Sequence, residues 1–217
     1  HARPCLAGPA RPNLPPVPVD ADELKKYLES HGYLIMEELG RGGMGVVYKA
    51  KQKGLNRLCA LKIIKPDRLD QPNLKSRFLR EVQAAAKLSH PNIVTVFHTN
   101  LDGPVLFLAM EYVPGTTLSK VVHQGGALAP DVAVRYIKQV AEGLQHAHEQ
   151  GMVHRDIKPG NLMITPWPLP PGKRATIKIL DMGLARSIDT EEADMGLTQN
   201  GELLGTPDFM SPEQAED

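Results

Sequence analysis

The sequence predicts an α+β fold in which a strand-rich part precedes a mainly helical part. Between residues 33 and 110, short runs rich in β-branched and aromatic residues are separated by glycine, proline and asparagine. One stretch at about 73–88 interrupts them, with apolar residues three or four positions apart, as expected for an amphipathic helix. From Pro130 to Gly151 the same helical spacing continues without a break. These patterns indicate an antiparallel sheet with one main helix, followed by a helical unit.

Composition narrows the class of protein. The chain has 217 residues, of which 41% are hydrophobic and 23% charged, so it can bury a sizeable core. Its 25 basic residues balance 25 acidic residues, which argues against nucleic acid or an anionic membrane as a partner. Cys5 and Cys59 lie in unlike contexts and predict no disulfide framework, so we expect a cytoplasmic location for this domain. There is no long apolar run, and we expect no membrane contact from this segment.

The N-terminal region divides in two. Residues 1–19 are rich in proline, which favours extended chain, and we interpret them as a linker. A proline-motif ligand for an SH3-type partner is the alternative. Residues 20–32 carry Leu24, Tyr27 and Leu28 at helical spacing and predict a short lead-in helix or further linker.

A glycine-rich turn follows. Gly40, Gly42 and Gly45 stand in the spacing G-x-G-x-x-G, between strand-like residues 34–36 and 46–49. A dinucleotide-binding fingerprint would need a helix after the last glycine, whereas β-branched and aromatic residues follow here. The turn is therefore predicted to lie inside a β-hairpin, where glycines let the backbone approach phosphate groups.

Lys62 interrupts an apolar strand predicted at 58–64. In isolation such a lysine is either a guard on an edge strand or a functional cation. Further along, a second hairpin is predicted. Its first strand follows the helix at about 73–88, its second strand lies at 106–110, and the chain then bends at Pro114 and Gly115.

The segment His154 to Asn161 has the pattern H-R-D-x-x-x-x-N in a stretch broken by proline and glycine, which predicts a loop. Three further motifs stand in order around it: Cys-Ala-Leu-Lys ending at Lys62, Asp-Met-Gly beginning at Asp181, and Ser-Pro-Glu ending at Glu213. With the glycine-rich turn, these resemble the motifs of protein kinases. The residues within these motifs are most similar to those of bacterial eukaryotic-like serine/threonine kinases.

The resemblance runs from about Tyr33 to Asp217 and implies the two-lobe protein kinase fold. It implies a small lobe at 33–110, a hinge at 111–115 and part of the large lobe at 116–217, because the family continues with further helices. We therefore expect a catalytic domain that is incomplete at its C-terminal side. The resemblance also implies ATP as the phosphoryl donor, Mg²⁺ as the metal and a nucleotide site formed by Leu39, Gly40, Arg41, Gly42, Gly43, Met44, Gly45, Val46, Val47, Ala60, Lys62, Glu81, Met110, Glu111 and Val113.

Roles for individual residues also come from the resemblance. It implies that Lys62 pairs with Glu81 on the helix that follows, and the alternative is that Glu81 is one of several solvated charges on that helix. Asp156 would accept the proton of the substrate hydroxyl, and Lys158 would stabilise the transferring phosphate. Asn161 and Asp181 would ligate Mg²⁺ through oxygen. Arg155 would contact a phosphorylated activation segment. The implied reaction is phosphorylation of serine and threonine in protein substrates, with autophosphorylation in trans within a kinase dimer.

The activation segment runs from Asp181 to Glu213. Thr206, in Gly-Thr-Pro, resembles the residue that packs near the catalytic aspartate, and Thr198 is the candidate regulatory phosphosite because it lies mid-segment. Two departures from the family stand nearby. Met182 replaces phenylalanine, and the loop at 165–175 is long and contains Trp167 among prolines. That loop is either a docking surface or a tolerated surface insertion.

Two other functions are consistent with parts of the pattern. A pseudokinase would bind nucleotide as a scaffold, but such proteins usually lack one of Lys62, Asp156 and Asp181, which are all present. The second alternative is an inactive kinase fragment, because an incomplete large lobe would expose apolar surface.

Overall fold

The computed structural model describes residues 20–42, 45–65, 72–101, 104–182, 209 and 211–212. The predicted proline-rich linker at 1–19 lies outside these residues. Within the described ranges, no helix is both long and apolar enough to cross a membrane.

The first part of the chain forms a five-stranded antiparallel sheet, as predicted. The strand order is β1-β2-β3-β5-β4, and the strands are β1 (Tyr33–Gly42), β2 (Gly45–Gln52), β3 (Arg57–Ile64), β4 (Val96–Asn100) and β5 (Leu106–Glu111). The glycine-rich turn joins β1 to β2 in a hairpin whose register pairs Gly42 with Gly45. Because β3 is the central strand, Lys62 is not an edge-strand guard.

One helix packs on each face of this sheet. Helix α1 (Ala21–Ser30) begins after Asp20, whose carboxylate accepts the backbone N–H of Asp22. Its Leu28 is fully buried on the outer face, in a cluster with Tyr33, Cys59, Leu61 and Phe107. Of the two alternatives that the sequence left open for residues 20–32, the structure has the helix.

Helix α2 (Pro72–Ala85) packs Phe78 and Val82 against the inner face of the sheet. The prediction extended it to Leu88, but the helix ends at Ala85. Beyond that point Lys87 N–H bonds Ala84 O and Leu88 N–H bonds Ala85 O, so the chain tightens into turns ahead of Pro91.

The second part is helical with a small three-stranded sheet of order β6-β7-β8. The hairpin of β7 and β8 is confirmed, whereas α3 was not predicted. Thr117 caps α3 by accepting the N–H of Lys120, a signal that the sequence contained. The elements are β6 (Thr116–Thr117), α3 (Leu118–Gly125), α4 (Pro130–Glu149), β7 (Leu162–Thr165) and β8 (Thr176–Ile179).

Helix α4 is the scaffold of the second part. It begins with Pro130 at its first turn and ends at Glu149, with Gln150 as cap and Gly151 following at φ 74°. Gly143 lets α4 lie close to β8, because an added Cβ would sit 2.8 Å from Ile179 Cδ1. The C-terminal end of α4 leads directly into the loop that carries Asp156.

Backbone hydrogen bonds join the two parts. Val94 N–H donates to Ile179 O at 3.0 Å, and Ile179 N–H donates to Asn92 O at 2.8 Å. The buried amide of Asn92 also donates to Ile177 O at 2.8 Å and to Gln139 Oε1 at 3.1 Å. The segment after α2 is thus attached to β8, the strand that leads to Asp181.

Candidate active site

The loop between α4 and β7 is fixed by the buried side chain of His154. Its Nε2 lies 2.8 Å from Leu180 O, which can only accept, so Nε2 carries the proton. Its Nδ1 accepts the backbone N–H of Asp156 at 3.2 Å. These contacts require the neutral imidazole, and burial lowers the pKa of His154 below its usual value. His154 therefore ties the loop of Asp156 to the residue before Asp181.

Asp156 is oriented by the two polar residues that follow it in the loop. Asn161 Nδ2 donates to Asp156 Oδ2 and to the backbone oxygen of Asp156, both at 2.8 Å. Lys158 Nζ lies 2.9 Å from Asp156 Oδ1. A short 3₁₀ helix, Pro159–Asn161, turns Asn161 back toward Asp156. The structure therefore brings these three predicted residues together.

Lys62 and Asp181 meet across the cleft. Lys62 Nζ, on the inner face of β3, lies 2.8 Å from Asp181 Oδ1. The lysine side chain is 7% exposed, and a buried ammonium needs such a counter-charge. Asp181 itself has φ 52°, a left-handed conformation that is strained for a residue other than glycine.

The resemblance led us to expect Lys62 to pair with Glu81, and here the structure differs. Among the described residues, Lys62 pairs with Asp181, and Glu81 Oε1 lies 3.6 Å from Arg155 Nη1. Arg155 has φ 67°, a left-handed conformation that is uncommon for residues other than glycine. The guanidinium of Arg155 is thus paired with the carboxylate that was expected to pair with Lys62.

A cluster of apolar residues lies next to the predicted hinge. Ala60, Met110 and Val113 are buried in one cluster, with Val47 partly buried against it. Met163 and Leu180, from the second part of the chain, pack on the same cluster and were not predicted. Their strand neighbours Leu162, Ile164 and Ile179 are buried in the core of the second part, so Met163 and Leu180 lie on the other face of these strands.

The glycines of the β1–β2 turn differ in their surroundings. A Cβ at Gly40 or Gly42 would meet no atom within 4 Å, so internal packing does not explain these glycines. A Cβ at Gly45 would overlap the carbonyl oxygen of Ile63. Leu39 and Arg41 are exposed, Arg41 is paired with Glu38 at 2.8 Å, and Val46 is half-buried. Gly43 and Met44 lie outside the described residues.

The hinge begins at Glu111. Its backbone N–H donates to Thr95 O at 2.9 Å, which leaves its carbonyl and the backbone of Val113 as candidates for contact with adenine. Its carboxylate pairs with Lys178 of β8 at 2.7 Å. Lys178 was not singled out from the sequence, because nothing local marks a lysine whose partner lies far away along the chain.

The donor set at Asn161 and Asp181 fits a hard divalent cation. Both side chains supply oxygen, and Mg²⁺ is usually held by one or two carboxylates together with substrate phosphates. Within the described part of the chain, no group of three or more His, Cys, Asp or Glu residues forms an all-protein metal cluster. The residues present therefore suit a metal that arrives with a nucleotide.

The predicted residues Thr198 and Thr206 lie outside the described residues. Met182 is described and is buried in the core of the second part. The 165–175 loop exposes Trp167 and Leu169 to 43% and 40%.

Comparisons with known proteins identify the class that this site defines. The profile of the protein kinase domain matches residues 33–217. The chain therefore belongs to the protein kinase domain family.

Named relatives and solved structures agree. The chain is 39% identical to "Serine/threonine-protein kinase PknB" of Mycolicibacterium smegmatis over 192 residues, which cover 86% of this chain and 29% of that protein. It is 38% identical to "Serine/threonine-protein kinase pkn3" of Myxococcus xanthus over 198 residues, which cover 90% and 36%. The PknI kinase domain of Mycobacterium tuberculosis, as a C20A_R136N double mutant, aligns with a TM-score of 0.62 and 30% identity over 71% of this chain and 61% of that one. The chain thus spans about a third of the length of the curated relatives.

Proposed function

We propose that this protein is a serine/threonine kinase that transfers the γ-phosphate of ATP to hydroxyl groups of protein substrates. The observation that carries the proposal is the cluster formed by Asp156, Lys158 and Asn161, opposite the pair of Lys62 with Asp181. Phosphoryl transfer requires mainly that groups be held in line and that charge on oxygen be neutralised. Lys62 from β3 would meet those needs from the first part of the chain, and Asp156, Lys158, Asn161 and Asp181 from the second part.

In the proposed reaction, the substrate hydroxyl oxygen attacks the γ-phosphorus while the bond from that phosphorus to the bridging oxygen of ADP breaks. The hydroxyl proton passes to Asp156, which Asn161 holds in position through Oδ2. Lys158 lies at the other carboxylate oxygen and balances charge on the phosphoryl group in transit. One phosphoester bond forms and one anhydride bond breaks, so the products are a phosphoprotein and ADP.

Asn161 and Asp181 would hold Mg²⁺, which when bound supplies positive charge at the β- and γ-phosphate oxygens. Lys62 would leave its present contact with Asp181 and bind the α- and β-phosphates. The apolar cluster around Ala60 and Val113 would take the adenine ring. The residues that surround the nucleotide would thereby exclude water from the cleft.

Serine and threonine are the proposed acceptors because Lys158 and the Gly-Thr-Pro sequence at Thr206 resemble those of serine/threonine kinases, and the relatives carry that name. Autophosphorylation at Thr198 would occur in trans between two copies, and Arg155 would then contact the phosphate. The balance of 25 basic and 25 acidic residues supports protein rather than nucleic acid substrates. Cys59 is a buried free thiol, which suits a reducing, cytoplasmic environment.

The test is transfer of labelled phosphate from ATP·Mg²⁺ to a generic basic protein and to the kinase itself. The full-length protein, the 217-residue chain and Asp156→Asn versions of both are compared. We expect Asp156→Asn to lower the rate about 10²- to 10⁴-fold with nucleotide binding retained. Asp131→Asn, on the exposed face of α4, is the matched control.

Each outcome decides between the functions. Transfer by the full-length protein that the Asp156→Asn change abolishes supports the kinase mechanism. A folded full-length protein that binds ATP and transfers nothing would favour the nucleotide-binding scaffold. Activity of the full-length protein without activity of the 217-residue chain would show that residues outside these 217 are needed for transfer.

A further inference from the structure

Each of the first two hinge residues has its side chain held by a lysine from a different strand. Lys178 Nζ lies 2.7 Å from Glu111 Oε1 and 2.8 Å from Glu111 Oε2. Lys49 Nζ lies 5.0 Å from the centre of the Tyr112 ring, within the range of a cation–π contact. Lys49 belongs to β2 and Lys178 to β8. The hinge is therefore held from both lobes at once.

The pair of Glu111 with Lys178 is well shielded from solvent. The lysine side chain is 15% exposed and the glutamate side chain 28%. Glu111 Oε2 also accepts the backbone N–H of Thr95 at 3.3 Å, and Glu111 N–H donates to Thr95 O. Shielding makes such a pair stronger than one on the surface, and the added contacts fix both the side chain and the backbone of Glu111.

Lys49 is oriented as well. Its Nζ lies 2.8 Å from Glu37 Oε1 on the neighbouring strand, so the ammonium is held between that carboxylate and the Tyr112 ring. In the register of the sheet, Lys49 stands opposite Glu37 and Ala60, and Ala60 faces the apolar cluster of the cleft. The contact thus joins the strand after the glycine-rich turn to the hinge.

Lys178 joins the hinge to the other side of the site. It lies in β8, which continues through Leu180 to Asp181. The neighbouring Ile179 is hydrogen-bonded to Asn92 and Val94, so this strand cannot shift without breaking contacts to both lobes. A displacement of Glu111 would therefore be opposed by the same strand that positions Asp181.

We infer that Lys49 and Lys178 are positioning residues for the nucleotide, and that they hold the hinge backbone at 111–113 where it can hydrogen-bond adenine. The inference rests on the proposed kinase function. Neither lysine touches the reacting atoms. Adenine is recognised through a few backbone hydrogen bonds whose strength falls steeply with misalignment. The two lysines should therefore affect the affinity for the nucleotide and the choice of base.

The experiment measures the affinity of the full-length protein for ADP·Mg²⁺ by calorimetry, together with kcat and KM for ATP and for GTP. The variants are Lys178→Met, Lys49→Met and Glu111→Gln with Lys178→Met. Lys173→Met and Lys51→Met are controls, since both are exposed lysines near the same elements. All measurements are made at a temperature where circular dichroism shows each variant to be folded.

We expect Lys178→Met to weaken ADP binding about three- to tenfold and to raise KM for ATP by the same factor, with kcat within about twofold of the wild type. Lys49→Met should show a smaller change of the same kind. In both variants, the ratio of kcat/KM for ATP to kcat/KM for GTP should fall. The double variant should lose no more affinity than Lys178→Met alone, because the two changes remove one interaction.

Other results would overturn the inference. If Lys178→Met has the same affinity for ADP as the wild type and the control Lys173→Met, then Lys178 does not position the hinge. An equal fall in ATP and GTP efficiency that follows the loss of thermal stability would show a general structural role instead. A wild-type protein that binds no nucleotide would overturn the proposed function and this inference with it, whereas wild-type binding without any effect of the variants would remove only the inference.

Discussion

The proposed adenine end and the proposed phosphate end of the site both contain lysine–carboxylate pairs, yet the pairs differ in kind. At the adenine end, Glu111 and Lys178 form a shielded pair, and the proposed reaction uses neither side chain. At the phosphate end, each pair joins residues that the reaction itself needs. We define the adenine end as Lys49, Glu111, Tyr112, Val113 and Lys178, and the phosphate end as Lys62, Asp156, Lys158, Asn161 and Asp181.

The backbone shows the same difference. Apart from glycine, the described residues with positive φ are Asn56, Arg155 and Asp181. Asp181 belongs to the phosphate end, Arg155 precedes Asp156 in the catalytic loop, and the hinge has none. Strained backbone at a functional site persists only where the surroundings hold it, here through the contact of His154 with Leu180. Under the proposed function, the contacts at the adenine end would persist when the nucleotide binds, whereas the pairs at the phosphate end would exchange.

Asp181→Asn should break the phosphate end and leave the adenine end intact. It removes the metal carboxylate and the counter-charge of Lys62, so phosphate transfer should fall by at least about 10²- to 10³-fold. Affinity for adenosine, which has no phosphate, should stay within about twofold. Labelled-ATP transfer and calorimetry with adenosine measure the two effects, with Asp131→Asn as control. Loss of adenosine binding would show that the two ends do not act separately.

A pair of glycine substitutions should separate structure from phosphate binding in the β1–β2 turn. Gly45→Ala places a methyl group against Ile63 O and should lower the free energy of unfolding by about 1–3 kcal/mol. Gly42→Ala enters open space, so unfolding should change by no more than about 0.5 kcal/mol. Its affinity for ATP should fall more than its affinity for adenosine. Urea unfolding and calorimetry test both, and equal destabilisation by the two changes would contradict the distinction.

The sequence predicted features that depend on local pattern. The β1–β2 hairpin, the strand with Lys62 and the long helix before the catalytic loop each follow from residue spacing within one segment, whereas the central place of that strand in the sheet does not. The grouping of Asp156 with Asn161 also lies within one loop. Helix α3 was missed because it is short, and its one clear signal is the capping Thr117.

Features that depend on partners far apart in the chain could not be predicted in this way. The resemblance implied a Lys62–Glu81 pair, but the carboxylate of Glu81 faces Arg155 once α2 and the catalytic loop are packed. The pairing of Lys178 with Glu111 spans 67 positions, and no local pattern marks it. The left-handed conformation of Arg155 is likewise invisible, since arginine is not a residue that favours it.

His154 should make the stability of the phosphate end depend on pH. Its folded-state pKa is lowered by burial, so below the unfolded value of 6.5 the unfolded chain binds a proton that the native protein resists. The free energy of unfolding should therefore have its full value above pH 6.5. It should fall as the pH drops below 6.5, by at most about 1.4 kcal/mol per pH unit. His154→Phe should lose this component, measured as the difference between wild-type and variant unfolding at several pH values. His148→Phe, on the exposed end of α4, is the control, and identical pH dependence in wild type and His154→Phe would contradict the prediction.

Arg155→Met should give the smallest effect, because it removes a pair that is partly exposed and holds no reacting atom. The side chains of Arg155 and Glu81 are 42% and 25% exposed, and pairs of this kind contribute about 0.2–1 kcal/mol. Without the guanidinium, Lys62 has one competitor fewer for the carboxylate of Glu81, so basal transfer by the unphosphorylated protein should rise by no more than about fivefold. Arg135→Met, which removes an exposed pair on α4, should leave the rate unchanged. A large loss of transfer in Arg155→Met would instead mean that Arg155 holds the strained loop in shape, and the phosphate end would then depend on it as the adenine end depends on Lys178.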